Sequence, residues 1–280
     1  MKRNVLALVL LMILTIGFSQ KVDALPMNDL FKTPLKGYVQ DNPAYQSVKF
    51  SAAGYVYPVS SAPDLLPGQD YSQRYKEDAS FRNRIDALQP EGVFVILWKD
   101  FIQKQTGEKK NWRVAANGFV YDVSDLSQWA NGKHRNLHEA GEELTFQLMR
   151  RSPHGVKIME RAVVVGVLGF EWDDLAAMNG KDYPYHMVAV QAMLYDVTEL
   201  NRWRSGNHLG QHKSGEELSY QIEQRAPHNL SLLGRGYLVG ILVTQKNLAG
   251  TVLSKNISYE LKEGAVYDKR INKPICIILE

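Results

Sequence analysis

A single cysteine, Cys276, stands in the whole chain of 280 residues. No internal disulfide can form, thiolate metal sites are excluded, and so is the covalent haem attachment that requires Cys-x-x-Cys-His. A surplus of one charge is missing too: 33 Lys and Arg stand against 30 Asp and Glu. Nucleic acid, which calls for a basic stripe, is therefore not an expected partner. Long apolar runs are limited to residues 5–18, whose 14 residues fall short of the roughly 20 that span a bilayer as a helix. Lys2 and Arg3 precede this run and Val22-Asp23-Ala24 follows it, the layout of a cleaved export signal at residues 1–24. Retained, the same run would serve as an N-terminal anchor. The absence of a cysteine at the cleavage site argues against a lipid anchor. Removing residues 1–24 takes out Lys2, Arg3, Lys21 and Asp23, which leaves 30 basic and 29 acidic side chains. An exported, nearly neutral protein is expected.

What the chain does have is histidine in a pattern. Six of its seven histidines form two triplets, His134–His138–His154 and His208–His212–His228, with equivalents 74 residues apart. Residues 98–168 laid over 172–242 without a gap share 24 of 71 positions. That is duplication and not compositional accident. The matched blocks include Trp98/Trp172, Tyr121-Asp122-Val123/Tyr195-Asp196-Val197, Trp129/Trp203, Gly141-Glu142-Glu143-Leu144/Gly215-Glu216-Glu217-Leu218 and Pro153-His154/Pro227-His228. A unit of this size is small for a self-supporting core, and such units often rely on a bound group.

Each copy has the same local pattern. Residues 98–104 and 172–178 suit a short helix. Residues 113–116 and 119–123 flank Asn117-Gly118, a favoured hairpin dipeptide; the second copy has Gln191-Ala192 there, which leaves its turn type open. Helices are expected over 141–151 and 215–225, with Leu144 and Leu148 on one stripe, Glu142 and Glu143 near the N-terminus, and Pro153 or Pro227 beyond the end. Strands at 163–168 and 237–243 close the units. In the first flank a strand is expected over 47–56 and a charged helix near 75–88; the last flank reads as short strands.

The chemistry of the triplets is open at this level. Three imidazoles suit zinc or copper, but His138-Glu139-Ala140-Gly141-Glu142 is not the His-Glu-x-x-His of a zinc protease, and Lys213 replaces the glutamate in the second copy. Haem iron held by two histidines in an apolar crevice is a second reading, with Trp129, Leu144, Leu148 and Ile158, or Trp203, Leu218, Ile222 and Leu232, as walls. A small hydrophobic ligand without metal is a third.

The run from Val114 through Tyr121-Asp122-Val123-Ser124, then Trp129, Gly132-Lys133-His134, Ala140-Gly141-Glu142-Glu143-Leu144-Thr145, Pro153-His154 and Val165-Gly166-Val167-Leu168 resembles a compact cytochrome b5-type haem-binding domain. Residues 186–242 repeat the match, and both are similar to the bacterial proteins of the cytochrome b5-like haem/steroid-binding group. The resemblance implies an α+β fold of two tandem cytochrome b5-like domains with short flanking N- and C-terminal elements. The boundaries are 25–92 for the first flank, 93–169 and 170–243 for the repeats, and 244–280 for a β-rich extension. It implies two b-type haems, with His134 and His154 as axial ligands in the first copy and His208 and His228 in the second. His138 and His212 stand close enough to substitute for the first ligand of each pair, because the family's His-Pro-Gly-Gly is replaced here. Arg151, Arg225, Arg161 and Arg235 are candidates for pairing with haem propionates. An 11-residue helix spans roughly 16 Å, so the loops fold back or each haem takes a ligand from the other copy. The expected activity is electron transfer with a redox partner protein, without catalysis; the alternative is a non-redox haem, steroid or other hydrophobic-ligand binding module.

Overall fold

The computed structural model describes residues 36–103, 112–226, 236–245, 258–262 and 264–280, all inside one compact unit that runs from Pro34 to Glu280. The expected signal at 1–24, and His228, Leu232 and Arg235 of the second copy, lie outside the described residues.

Five strands form the framework: β1 (Lys36–Tyr38), β4 (Gly92–Leu97), β9 (Val163–Phe170), β14 (Tyr237–Gln245) and β17 (Lys273–Leu279). Successive members pair in parallel, and β17 returns to β1, so the five close into a ring. Stretches such as Val93-Phe94-Val95-Ile96-Leu97 are buried along their whole length, as strands covered on both faces must be. Closure also removes the free strand edges that an open sheet would expose.

An antiparallel hairpin hangs on each ring strand after the first. These are β2 (Lys49–Ala52) with β3 (Tyr55–Pro58) on β4, and β5 (Arg113–Ala116) with β6 (Phe119–Asp122) on β9. They continue with β10 (Met187–Val190) and β11 (Met193–Asp196) on β14, then β15 (Tyr259–Lys262) and β16 (Ala265–Asp268) on β17. The turn left open in the second copy has positive φ at both residues, Gln191 at 50° and Ala192 at 64°, like Asn117 at 50° and Gly118 at 84°. Both therefore have the backbone hand that matches strand twist. The strand expected over 47–56 is instead two strands, because Ala53 and Gly54 take the same positive-φ turn. Helices Ser72–Glu77 and Ala79–Asp86 stand where the charged helix was expected.

The register shows that the hairpin unit occurs four times. Val56 pairs with Gly92, Val120 with Gly166, Leu194 with Gly240 and Val266 with Cys276, and in the last three pairings a bulge follows at once. A Cβ built on Gly92, Gly166 or Gly240 would lie 2.2 Å from Lys36 O, 2.8 Å from Phe94 O or 2.5 Å from Leu168 O. Glycine is needed there because the neighbouring ring strand's backbone occupies the space. The two flanks, expected as appendages of tandem domains, thus supply strands to the same ring. The closing strands of the two copies, β9 and β14, pair with each other instead of sealing separate cores.

The histidine-bearing copies add one feature each between hairpin and ring strand. In the first it is a two-residue ladder, β7 (Lys133–His134) with β8 (His138–Glu139); in the second, β12 (Asn207–His208) with β13 (His212–Lys213).

Candidate functional site

The small ladders decide where the histidines go. His134 lies directly opposite His138, and His208 opposite His212, so both side chains of each pair project from the same face of the ladder. Arg135 and Asn136 at one tip, and Leu209 and Gly210 at the other, take positive φ to make the reversal. Ring centroids of His134 and His138 are 6.4 Å apart with planes 8° from parallel; for His208 and His212 the values are 6.4 Å and 10°. Behind each first histidine a tryptophan ring lies nearly parallel: Trp129 at 5.4 Å and 25°, Trp203 at 5.0 Å and 16°. The array Trp–His–His is therefore built twice with the same geometry.

Of the walls expected around the histidines, only Trp129 and Trp203 are seen stacked on one. Trp129, Leu144 and Leu148 are buried in the first copy and Leu218 in the second, where Leu218 packs with Val188, Val190 and Val197, and with Trp203 and Ile222 at the margin. Apolar side chains also remain outside. Leu137 at the first tip is 72% exposed, Met149 51%, and Leu209 at the second tip 61%.

His154, the third member of the first triplet, is exposed, and its backbone N–H donates to Ser152 Oγ at 3.1 Å. It stands near enough for its charge to act on His134. Burial first, and then the charges of Arg135, His138 and His154, hold the His134 imidazole below its usual pKa. His134 is thus biased toward the neutral form, whose free lone pair is what binds a metal. Among the described residues no three His, Cys, Asp or Glu side chains converge as a protein-only metal site.

The helices expected over 141–151 and 215–225 begin later. Gly141 has φ of 95° and Gly215 of 86°, and the next residues pair with the hairpin: Ala115 N–H donates to Glu142 O at 3.0 Å and Leu144 N–H to Ala115 O at 2.7 Å. The second copy repeats this with Ala189, Glu216 and Leu218. The backbone of the Glu-Glu-Leu stretch is spent on strand-like pairing, so the helix starts only at Thr145 and at Ser219. In the first copy it ends as a π-type turn, Gln147–Arg151. Arg151 and Arg225, candidates for propionate pairing, lie over Phe146 and Tyr220 at 5.0 Å and 5.4 Å.

Residue-level reading put two of the carboxylates here in the first turn of a helix and missed their burial. Glu143 and Glu217 stand two residues ahead of the helix starts and are 7% and 9% exposed. Glu143 accepts the Thr145 N–H at 3.0 Å and the Thr145 hydroxyl, while Thr145 Oγ1 accepts Asn117 N–H at 2.6 Å. Glu217, Ser219 and Gln191 repeat the set, and so do Asp70, Ser72 and Ala53 in the first flank. Burial pushes Glu143 up to about 8, against its bonds from Thr145 and with the help of Asp196. Burial pushes Glu217 to about 7, with Asp268 adding to the rise and Ser219 and Arg270 opposing it. The acid-x-Ser/Thr spacing was visible as a signal, but without the fold it reads as a helix start. Glu142 holds His138: Nδ1 lies 3.1 Å from Oε2.

Comparison with known proteins gives a partial likeness. No family model matches the chain, and no curated protein matches it. Two solved structures are similar to part of it. A cytochrome b5 domain protein from Hadesarchaea is 36% identical over 26% of this chain and 96% of its own, with a TM-score of 0.25. A cytochrome b5 domain protein from Methanococcoides burtonii is 38% identical over 26% of this chain and 95% of its own, with a TM-score of 0.25.

Proposed function

We propose that the chain is an exported electron-transfer protein that binds two b-type haems, one in each histidine-bearing copy, through pairs of imidazoles. The observation that carries this reading is the Trp–His–His array, built twice at the same 6.4 Å ring separation. The donor set fits haem: a porphyrin brings four equatorial nitrogens, so two imidazoles suffice where a protein-only metal site would need more. Neutral imidazole and apolar neighbours are both required: His134 is held below its usual pKa against the Trp129 ring, and Leu144 and Leu148 are buried in the same copy.

In this reading His134 or His138, together with His154, would hold the haem of the first copy, and His208 or His212, with His228, would hold that of the second. The bound haem would supply an iron that gains and loses one electron. Held by two imidazoles, that iron would carry electrons and would not activate oxygen or substrate. Trp129 and Trp203 seat the first histidine of each ladder and keep water from its inner face. The exposed tips would let a redox partner approach the edge of each site, and export directed by residues 1–24 would put that partner outside the cytoplasm.

The test is an optical spectrum of the full chain reconstituted with haem. A sharp Soret band, low-spin α and β bands on reduction and two haems per chain are expected; none of these features in a folded protein rejects the reading. The exposed Leu137, Met149 and Leu209 favour a second reading, a non-redox module that captures an apolar ligand such as a steroid. That module would retain the ligand with both ladders' histidines replaced by alanine.

A further inference from the structure

The ladder of the first copy contains a bond that the second does not. Glu142 Oε1 accepts the Glu139 N–H at 3.1 Å, and Oε2 lies 3.1 Å from His138 Nδ1. One oxygen is tied to the ladder backbone and the other to the ring. In the second copy Glu216 accepts the Lys213 N–H at 3.0 Å, and among the described residues no bond joins Glu216 to His212. An ionised carboxylate only accepts hydrogen bonds, so Nδ1 of His138 carries the hydrogen and Nε2 holds the free lone pair. An imidazole held in this way has a fixed tautomer and orientation, and it is a stronger electron donor through its other nitrogen. His134 has a different setting: a tryptophan face behind it and the charges of Arg135, His138 and His154 around it.

Resting on the haem reading above, we propose that Glu142 is a positioning residue: it makes His138 the ladder's iron ligand in the first copy and lowers that haem's reduction potential. The carboxylate charge passed through the ring favours the ferric state over the ferrous. The second copy lacks this bond, so Glu142 acts on one haem of the two.

The experiment has two arms on the full chain. Without haem, nitrogen-15 spectra of labelled histidine should show His138 in the Nδ1–H tautomer, and Glu142→Ala should release it to the usual mixture. With haem, Glu142→Gln keeps the shape and removes the charge. It should raise one of the two midpoint potentials by at least the equivalent of a tenfold change in relative ferric affinity, about 59 mV for one electron. Glu216→Gln should leave both where they were. His138→Ala should cost one low-spin haem. Potentials that ignore Glu142, or a His138→Ala chain that keeps both low-spin haems, overturn the proposal while the haem reading stands. A chain that takes up no haem overturns both, and the tautomer measurement still decides whether Glu142 clamps the ring. Should Glu142→Gln misfold, Glu142→Asp serves in its place, with a shift of the same sign.

Discussion

Glu143 is 7% exposed and accepts two hydrogen bonds from Thr145. Burial above all, then Asp196 from the neighbouring unit, pushes its carboxyl up to about 8. In the unfolded chain a glutamate titrates near 4.3. Between these values the folded protein keeps the proton and the unfolded chain has lost it. Stability is therefore fullest on the acid side and falls as pH rises through the window. From about pH 5 to about pH 8 the fall amounts to three units at about 1.36 kcal/mol each, or about 4 kcal/mol. Glu143→Gln has no proton to lose. Its amide oxygen can still accept from Thr145, and the cost of seating its NH2 group does not depend on pH. Urea denaturation at several pH values, followed by tryptophan fluorescence, measures the comparison. The variant's stability should gain on the wild type by about 4 kcal/mol across that range, with Glu217 contributing equally to both curves. Parallel curves would refute the reasoning, since they would mean that Glu143 ionises in the fold at no cost.

Thr145→Val removes the acceptor of the Asn117 N–H and the donor to Glu143, and should cost about 1–3 kcal/mol in the same assay. Gly92→Ala places a methyl 2.2 Å from the Lys36 carbonyl oxygen; since backbone must move, the loss should reach about 3 kcal/mol, and an unchanged denaturation midpoint would argue against the close approach of β1 and β4. Arg270→Met strips the fully buried Asp268 carboxylate of its partner, which should cost about 3 kcal/mol near neutral pH. Burial raises the Asp268 carboxyl, but the Arg270 bonds outweigh it and hold the group below its usual pKa. That pair's contribution is therefore present above the unfolded aspartate pKa and fades as pH falls through the folded one, so the variant should approach the wild type in acid.

The duplication, the scarcity of cysteine and the matched histidines were decided by sequence alone, because identities at a fixed offset need no three-dimensional information. Local chemistry was equally readable: Asn117-Gly118 does make the hairpin turn, and Pro153 does stand beyond the helix end. Helix starts were not readable. Glu142 to Leu144 have helix-forming side chains, yet their backbone groups are taken by Ala115, a partner far away in sequence. The four-fold hairpin was half visible. Ala52-Ala53-Gly54-Tyr55-Val56-Tyr57 and Gly264-Ala265-Val266-Tyr267-Asp268 echo the two copies, but both units lack histidine and differ in length from them. The ring belongs to tertiary structure alone. Past the exposed Lys36 and Lys273 at their starts, β1 and β17 have no polar face that would name a partner. Closure, burial on both faces and the glycines that admit neighbouring backbone make that choice together. The same assembly brings Asp196 near enough for its charge to act on Glu143, and buries two carboxyls that sequence would put at helix ends, pushing both above the usual carboxylate range.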